Sequence, residues 1–321
     1  MPHALLCMSH SPLLHHVDPP DDVKSSVEAA FGHARGFVED FAPDLVINFG
    51  PDHYNGFFYD LMPPFCIGYT AHGTGDYDSF AGELNVPIEV AVSLAQHVID
   101  REIDVAISRQ MEVDHGAVQP MEILFGDVAR VPVVPIFVNS VARPFVKMSR
   151  VRAFGHAVGE YFSSSDKKIL FIGSGGLSHD PPVPQIATAT EAQRKMLTDG
   201  RNPTLQARAA RQARVIDTAR AFAAGEADIM DLNPEWDRAF LDVCRSGRVD
   251  DFDEYTADEM DAVAGHSAHE VRNWVAAYSA LAACGDYRVT YEFYRPIKEY
   301  IAGFGITTAV LDQNVPNLTM R

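Results

Sequence analysis

The sequence predicts an α/β fold, namely a single domain with a central, mostly parallel β-sheet flanked by helices, plus a helical insertion. Short apolar runs that indicate buried strands recur at 4–8, 45–49 and 169–172. Between the first two runs, residues 23–41 place apolar side chains close to a helical period, which indicates an amphipathic helix. A strand–helix–strand order of this kind is typical of a parallel pair with a right-handed crossover.

The middle of the chain continues this alternation. Helices are predicted at 87–99 and 145–162. Between them, a short strand is predicted at 105–108 and a helix-like segment at 121–125. Residues 131–138 are apolar and β-branched, but their two prolines favour an edge strand or a broken one. Residues 55–78 are rich in Gly, Pro and aromatic residues, which predicts an irregular loop that lines a pocket.

The C-terminal part predicts a helical elaboration and then the last strands. Residues 187–247 are charged and helical, and acids balance their arginines, so we expect a solvated face there. The arginines are Arg201, Arg208, Arg211 and Arg214. A helix opens near Gly265, and strands are predicted at 287–294 and 301–311. Without a repeat or a low-complexity linker, we expect one catalytic domain over 1–311, with 187–247 as an elaboration within it, and a tail at 312–321.

Charge and cysteine usage exclude several classes of protein. The chain carries 26 basic and 44 acidic residues, a net charge of −18, and no basic block. Nucleic acids and anionic membranes are therefore poor partners, because both require clustered cations. Four dispersed cysteines form no CxxC pair, and the N-terminus has no signal-peptide pattern. We expect a cytoplasmic protein in a reducing compartment.

Histidines follow three of the predicted strands. Gly50-Pro51 ends the 45–49 strand, and Asp52 and His53 come next, while His10 follows the first strand. In open α/β sheets ligands bind at the carboxyl ends of the strands, so we expect His10 and His53 at one edge. His179 follows the third strand through a glycine-rich turn. This turn lacks the spacing of a phosphate-binding loop. Its glycines are therefore expected to let the backbone approach a substrate closely.

Two imidazoles and one carboxylate on one face of a metal are typical of non-haem Fe(II) oxygenases. His10 and His53 supply the imidazoles, and Glu270 is the best candidate for the carboxylate. The alternative is that Glu270 binds no metal and is an acidic residue in the first turn of a helix, where the helix dipole favours negative charge. His266, four residues earlier, is a rival ligand on the same helix face.

Five short motifs contain His10, His53, His179 and Glu270, together with two further histidines, His115 and His269. They are Ser9-His10-Ser11-Pro12, Pro51-Asp52-His53-Tyr54, Asp114-His115-Gly116, Gly173-Ser174-Gly175-Gly176-Leu177-Ser178-His179 and His269-Glu270-Val271-Arg272-Asn273-Trp274. Together they resemble the class III extradiol ring-cleavage dioxygenases, the LigB-like superfamily. The similarity runs from Met1 to about Leu311, and no matched position departs from the family pattern.

The resemblance implies that His10, His53 and Glu270 bind Fe(II), and that His115 and His179 move protons. We assign His179 as the base that ionises a catechol and His115 as the acid in the later steps. Asp114 is predicted to orient His115, with a turn residue as the alternative, and Asp52 is a second carboxylate near the ligands.

The substrates implied are O2 and a catechol with a 3-carboxyethyl chain, or its cinnamic analogue. The side-chain carboxylate requires a cation, for which the candidates are Arg143, Lys147, Arg295 and Lys298, each more typical of a surface charge. The resemblance also implies a homo-oligomer, with a tetramer as one option. A Zn(II) hydrolase and a non-enzymatic binding protein on the same scaffold are the competing hypotheses.

Overall fold

The computed structural model describes residues 3–312, and its strands form two sheets. The strands are β1 His3–Met8, β2 Leu45–Gly50, β3 Phe65–Gly68, β4 Ala71–Thr74, β5 Ala81–Glu83, β6 Ala106–Ser108, β7 Met111–Val113, β8 Val133–Val138, β9 Ile169–Ser174, β10 Tyr287–Ile297 and β11 Ala302–Leu311. The α-helices are α1 Asp21–Phe41, α2 Ile88–Asp100, α3 His115–Phe125, α4 Met148–Phe162, α5 Glu191–Asp199, α6 Leu205–Ala223, α7 Pro234–Ser246, α8 Ala257–Val263 and α9 Val271–Cys284.

The large sheet has eight strands in the order β10-β11-β1-β9-β2-β8-β3-β6. Its centre, β1-β9-β2-β8, is parallel, and β3 and β6 also pair in parallel. The four central strands are buried along their whole length, as expected where helices cover both faces. The prediction of an α/β fold with a mostly parallel sheet is confirmed.

The second sheet, β5-β4-β7, was not predicted. Residues 55–78, for which we expected an irregular loop, contain β3 and β4. Each of these strands has only four residues and includes a glycine, Gly68 or Gly73, so neither shows a clear alternation of apolar and polar residues.

The prediction of an edge or broken strand at 131–138 was wrong, because β8 is a continuous strand between β2 and β3. Pro135 is tolerated there because the β3 register ends with Ile67 opposite Ile136. Gly68, the next β3 residue, leaves room for the proline ring, since an added Cβ would lie 2.9 Å from Pro135 Cγ. The ladder therefore does not require the N–H that proline lacks.

Helices α4 and α9 pack closely on one face of the sheet. Gly155 and Gly159 of α4 face the α9 backbone, where an added Cβ would lie 2.2 Å from Ala276 O and 2.0 Å from Ala280 O respectively. These contacts are with backbone atoms, which cannot rotate away as a side chain can. The two glycines therefore set the distance between α4 and α9.

Replacing Gly159 with alanine is expected to lower the free energy of unfolding by about 2–3 kcal/mol, because the methyl group forces α4 away from α9. Gly32→Ala on α1 is the matched control. It meets no atom within 4 Å and should stabilise the protein by about 0.5–1 kcal/mol. Urea unfolding of both variants measures the difference, and equal stabilities would contradict the packing described here.

Helices α5, α6 and α7 lie within the region predicted to be helical. Within residues 3–312, no helix combines the length and apolar character needed to cross a membrane. Positions 313–321, most of the predicted tail, lie outside the described residues.

Candidate metal centre and active site

The central strands deliver the predicted residues to one edge of the sheet. His10 lies two residues after β1, His53 three residues after β2, and His179 five residues after β9. Because β9 pairs in parallel with both β1 and β2, the three chain segments leave the sheet at the same end. The prediction that His10 and His53 emerge at one end of near-adjacent strands is confirmed.

Glu270 lies between these histidines, in the 3₁₀ turn that leads into α9. Its Oε1 accepts a hydrogen bond from His53 Nε2 at 3.0 Å, and its Oε2 lies 3.6 Å from His10 Nε2. The side chain is buried, and the N–H of Gly176 also donates to Oε2 at 2.9 Å. One carboxylate and two imidazoles thus converge at the sheet edge.

The glycine-rich turn after β9 admits Glu270. A Cβ at Gly175 would lie 2.6 Å from Glu270 Cβ and 2.7 Å from its carbonyl oxygen. We expected the glycines to allow close approach to a substrate, but here Gly175 allows close approach of the turn that carries Glu270. A larger side chain would push the carboxylate away from His10 and His53.

The hydrogen-bond partners fix the tautomer of His10. Ser174 Oγ donates its proton to Gly116 O at 2.5 Å, so it can only accept from His10 Nδ1, at 2.9 Å. Neutral His10 therefore keeps the lone pair on Nε2, which faces Glu270. A histidine whose second nitrogen is held in this way is typical of a metal ligand.

The same arrangement holds His53. Asp114 Oδ2 accepts from both the backbone N–H of His53, at 2.7 Å, and its Nδ1, at 3.0 Å. Our prediction that Asp114 orients His115 was therefore wrong. Asp114 also caps α3 by accepting from Gly116 N at 2.9 Å, so one carboxylate orders His53 and the start of the helix.

The partner of His115 is Asp76, which sequence reasoning missed. His115 Nδ1 donates to Asp76 Oδ2 at 2.5 Å, and its backbone N–H donates to Asp76 Oδ1 at 2.9 Å. Both residues are buried. The sequence carries no local signal for this pair, because 39 positions separate the two residues.

His179 has no carboxylate behind its ring. Its Nδ1 donates to the carbonyl of Leu177 at 2.8 Å, so Nε2 faces the site and lies 3.3 Å from Glu270 Oε1. Four histidines, His10, His53, His115 and His179, thus have Nδ1 held by the protein and leave Nε2 for a ligand or a proton.

Burial and charge set the protonation of this site. Burial lowers the pKa of His10 to about 3, and nearby Glu270 only partly offsets it. Burial also lowers the pKa of His53 and His179, but the carboxylates outweigh it and raise both above the ordinary value. Although burial alone would raise the pKa of Glu270, the neighbouring imidazoles hold it well below its usual range. Glu270 is therefore an anion at neutral pH.

Among the residues that the structure describes, 3–312, two groups of side chains are compact enough to hold a metal ion. The ligand atoms of His10, His53 and His115 lie within 4.8 Å of one another, and so do those of Asp76, Asp114 and His115. The edge of the sheet therefore offers donors of the imidazole and carboxylate types.

The family described as “Catalytic LigB subunit of aromatic ring-opening dioxygenase” matches residues 4–305. The chain belongs to this LigB family. The resemblance inferred from the five motifs is confirmed, and four histidines of these motifs, His10, His53, His115 and His179, are the ones that the fold gathers at the sheet edge.

Relatives within the LigB family match the chain almost end to end. A protein of Rhodococcus globerulus is 79% identical over 97% of this chain and 99% of its own length, and one of Rhodococcus rhodochrous is 76% identical with the same coverage. A third, from a Rhodococcus species, is 58% identical over 97% of this chain and 99% of its own. All three are named 2,3-dihydroxyphenylpropionate/2,3-dihydroxicinnamic acid 1,2-dioxygenase.

A pocket opens in front of the LigB-family site. Its inner wall includes the four histidines and Glu270. Much of the remaining lining is aromatic or apolar, and α6 adds the two arginines Arg211 and Arg214. The aromatic and apolar residues are Leu13, Tyr54, Tyr77, Pro181, Pro182, Val183, Pro184, Met196, Val215, Tyr300 and Ile301. The pocket can therefore accept a flat, partly apolar molecule with its polar end at the histidines.

Asp52 has a different role from its neighbour His53. Its carboxylate accepts from the backbone N–H groups of Asn55, Gly56 and Phe57, at 3.1, 2.7 and 3.0 Å. Burial and nearby Asp114 raise its pKa to about 7, against the lowering effect of these donors. Asp52 thus orders the turn that carries His53.

Several residues considered from the sequence lie outside the pocket. His266 bonds to Asp180 Oδ1 at 2.8 Å and is half-exposed, so it is not placed as a rival ligand. Among the proposed cations, Arg143, Arg295 and Lys298 each pair with aspartates. Lys147 precedes α4 and does not line the pocket.

The expectation of a solvated arginine face on 187–247 holds for Arg214, which is exposed, but was wrong for the other three arginines, which bind the protein. Arg201 and Arg208 donate to the carbonyls of Gly56 and Thr74, at 2.7 and 2.8 Å, and Arg211 donates to Tyr54 O at 3.1 Å. These arginines hold the helical region against the loop that follows β2.

Proposed function

We propose that this chain is an Fe(II)-dependent extradiol dioxygenase. It cleaves the ring of 3-(2,3-dihydroxyphenyl)propionate, or of 2,3-dihydroxycinnamate, with O2 to give 2-hydroxy-6-oxonona-2,4-dienedioate or its triene analogue. The observation that carries the proposal is the buried carboxylate of Glu270, which faces His53 and His10 at the inner end of the pocket. The names of the close relatives support the choice of substrate.

The donor set fits a ferrous ion. Two imidazole nitrogens and one carboxylate leave several positions open, which is the pattern of non-haem Fe(II) oxygenases. We therefore propose that His10, His53 and Glu270 hold the metal. Asp114 and Ser174 would keep the two imidazoles in the tautomer that binds metal through Nε2. When bound, Fe(II) supplies the site at which O2 and the two catechol oxygens meet and exchange electrons.

We propose that His179 acts as the base. Its Nε2 lies 3.3 Å from Glu270 Oε1, so it borders the place where a catechol hydroxyl would lie. Removing one proton from the diol gives the monoanion, and the imidazole holds that proton. Because the Leu177 carbonyl holds Nδ1–H, Nε2 is the nitrogen that takes up this proton.

We propose that His115 acts as the acid. Its ring is stacked on that of His53, with centroids 4.5 Å apart, and Asp76 holds Nδ1, so that Nε2 is the nitrogen that faces the pocket. A proton from Nε2 can therefore reach the oxygen that departs when the ring carbon–carbon bond migrates. The departed oxygen, as water or hydroxide, would then hydrolyse the resulting lactone and open the ring, so that both atoms of O2 end in the product.

We also propose that residues 1–311 act as one catalytic domain, with 187–247 as its helical elaboration. We propose a cytoplasmic homo-oligomer. The four free cysteines support a reducing compartment.

Reconstitution with metal tests the proposed function. Protein loaded anaerobically with Fe(II) and then given 3-(2,3-dihydroxyphenyl)propionate and air should form a yellow ring-fission product and consume one O2 per substrate. The Zn(II)-loaded protein is the control and should be inactive, because Zn(II) has no redox chemistry. No absorbance and no O2 uptake with Fe(II) would overturn the proposal. Acceleration of ester or amide hydrolysis by Zn(II) alone would instead favour a hydrolase.

A further inference from the structure

The helical elaboration brings two cations to the mouth of the pocket. Arg211 and Arg214 are three residues apart on α6, so they lie on the same side of the helix, and both line the pocket. The chain as a whole carries a net charge of −18, which disfavours the approach of an anion. A cation at the mouth is therefore the feature that an anionic ligand would need.

The guanidinium of Arg211 is already engaged. It donates to Tyr54 O at 3.1 Å and to Asn55 Oδ1. Asn55 in turn donates to Asp114 Oδ2 at 2.9 Å, and Asp114 holds His53. Arg211 thus joins α6 to the metal centre through two residues, and it has few donors left for a ligand.

The guanidinium of Arg214 is different. Among residues 3–312 it has no carboxylate within 4.0 Å and no hydrogen bond from its side chain, and it is exposed at the mouth. The guanidinium groups of Arg143 and Arg152, by contrast, each form ion pairs with aspartates. All five N–H donors of Arg214 are therefore available, in a geometry that suits a carboxylate.

Apolar side chains line the same pocket as the cation and the histidines. Val215 follows Arg214 on α6, and Pro182 and Val183 lie in the same pocket. Such a lining suits a short hydrocarbon chain, which would place a catechol ring at the inner end and a chain carboxylate at the mouth.

We propose that Arg214 binds the side-chain carboxylate of the substrate, and that Arg211 positions the loop beneath it. This inference rests on the proposed ring-cleavage activity. It makes the helical elaboration the part of the fold that selects catechols with an anionic chain.

The test compares two substrates that differ in one charge, 3-(2,3-dihydroxyphenyl)propionate and 3-propylcatechol. Arg214→Gln should lower kcat/KM for the carboxylate substrate about 5- to 20-fold, mainly through KM, as expected for a charge-assisted hydrogen bond at a partly exposed site. Turnover of 3-propylcatechol should change less than about twofold, because that substrate offers the arginine no partner.

Arg220→Gln is the matched control. It removes the same charge from the same helix, but Arg220 pairs with Asp217 and does not line the pocket, so both substrates should behave as with the wild type. An Arg214→Gln effect that is equal on both substrates, or absent, would overturn the inference while the ring-cleavage activity of the wild type stands. If the wild type cleaves neither catechol, the proposed function fails and this inference fails with it.

Discussion

Replacing His115 or His179 with alanine is expected to lower kcat by about 10²- to 10⁴-fold while the protein keeps its iron. Each imidazole has Nδ1 held by the protein, by Asp76 in one case and by Leu177 O in the other, and presents Nε2 to the pocket. Losing either one removes a proton carrier and leaves His10, His53 and Glu270 in place. Iron content per chain and kcat on the same preparation, measured anaerobically and then in air, give the two quantities.

His266→Ala is the control for this pair. His266 is half-exposed, is bound to Asp180 and lies outside the pocket, so both iron content and kcat should match the wild type. Loss of iron from His115→Ala would show that the compact group His10-His53-His115 is the metal site, and would contradict the roles proposed here.

Replacing Glu270 with alanine is expected to weaken Fe(II) binding by at least about 100-fold and to abolish ring cleavage at ordinary iron concentrations. Glu270 supplies the only carboxylate in this proposed ligand set, and its negative charge offsets that of the ion in a buried site. His10→Ala and His53→Ala should have the same effect, because each removes one of the remaining two ligands. Equilibrium dialysis against Fe(II) under argon measures the affinity.

Glu122→Gln provides a control for the loss of a half-buried carboxylate outside the site, since Glu122 lies on α3 and does not line the pocket that holds Glu270. It should bind Fe(II) as the wild type does. Stoichiometric iron in Glu270→Ala would remove this residue from the ligand set.

The fold and the inner part of the site could be predicted because their signals are local. Apolar runs followed by histidines mark β1, β2 and β9, and the parallel order of the sheet brings His10, His53 and His179 to one edge. The residue types alone then indicate a metal and proton transfer. These inferences need only strand order and side-chain chemistry.

The partners of these histidines could not be predicted, because they depend on contacts between distant segments. Asp76 reaches His115 only through the turn after β4, and Asp114 faces His53 because α3 begins beside the β2 edge. Motif order favoured the adjacent pair Asp114–His115, but consecutive side chains at a helix start point in different directions.

The positions of the α6 arginines also could not be predicted from the sequence. Balanced charges in a helical segment usually indicate a solvated face, but α6 packs across the pocket and directs Arg211 and Arg214 toward it. Only the tertiary position of the helix separates Arg214, without a carboxylate partner in the described chain, from Arg220, which is paired with Asp217.

The most direct test of the central claim is an anaerobic crystal structure of the Fe(II)-loaded protein with anomalous scattering recorded at the iron edge. We predict one iron per chain, bonded to His10 Nε2, His53 Nε2 and the carboxylate of Glu270, with the remaining positions facing the pocket. An iron bonded to Asp76, Asp114 and His115 instead, or one that takes His115 in place of Glu270, would contradict it.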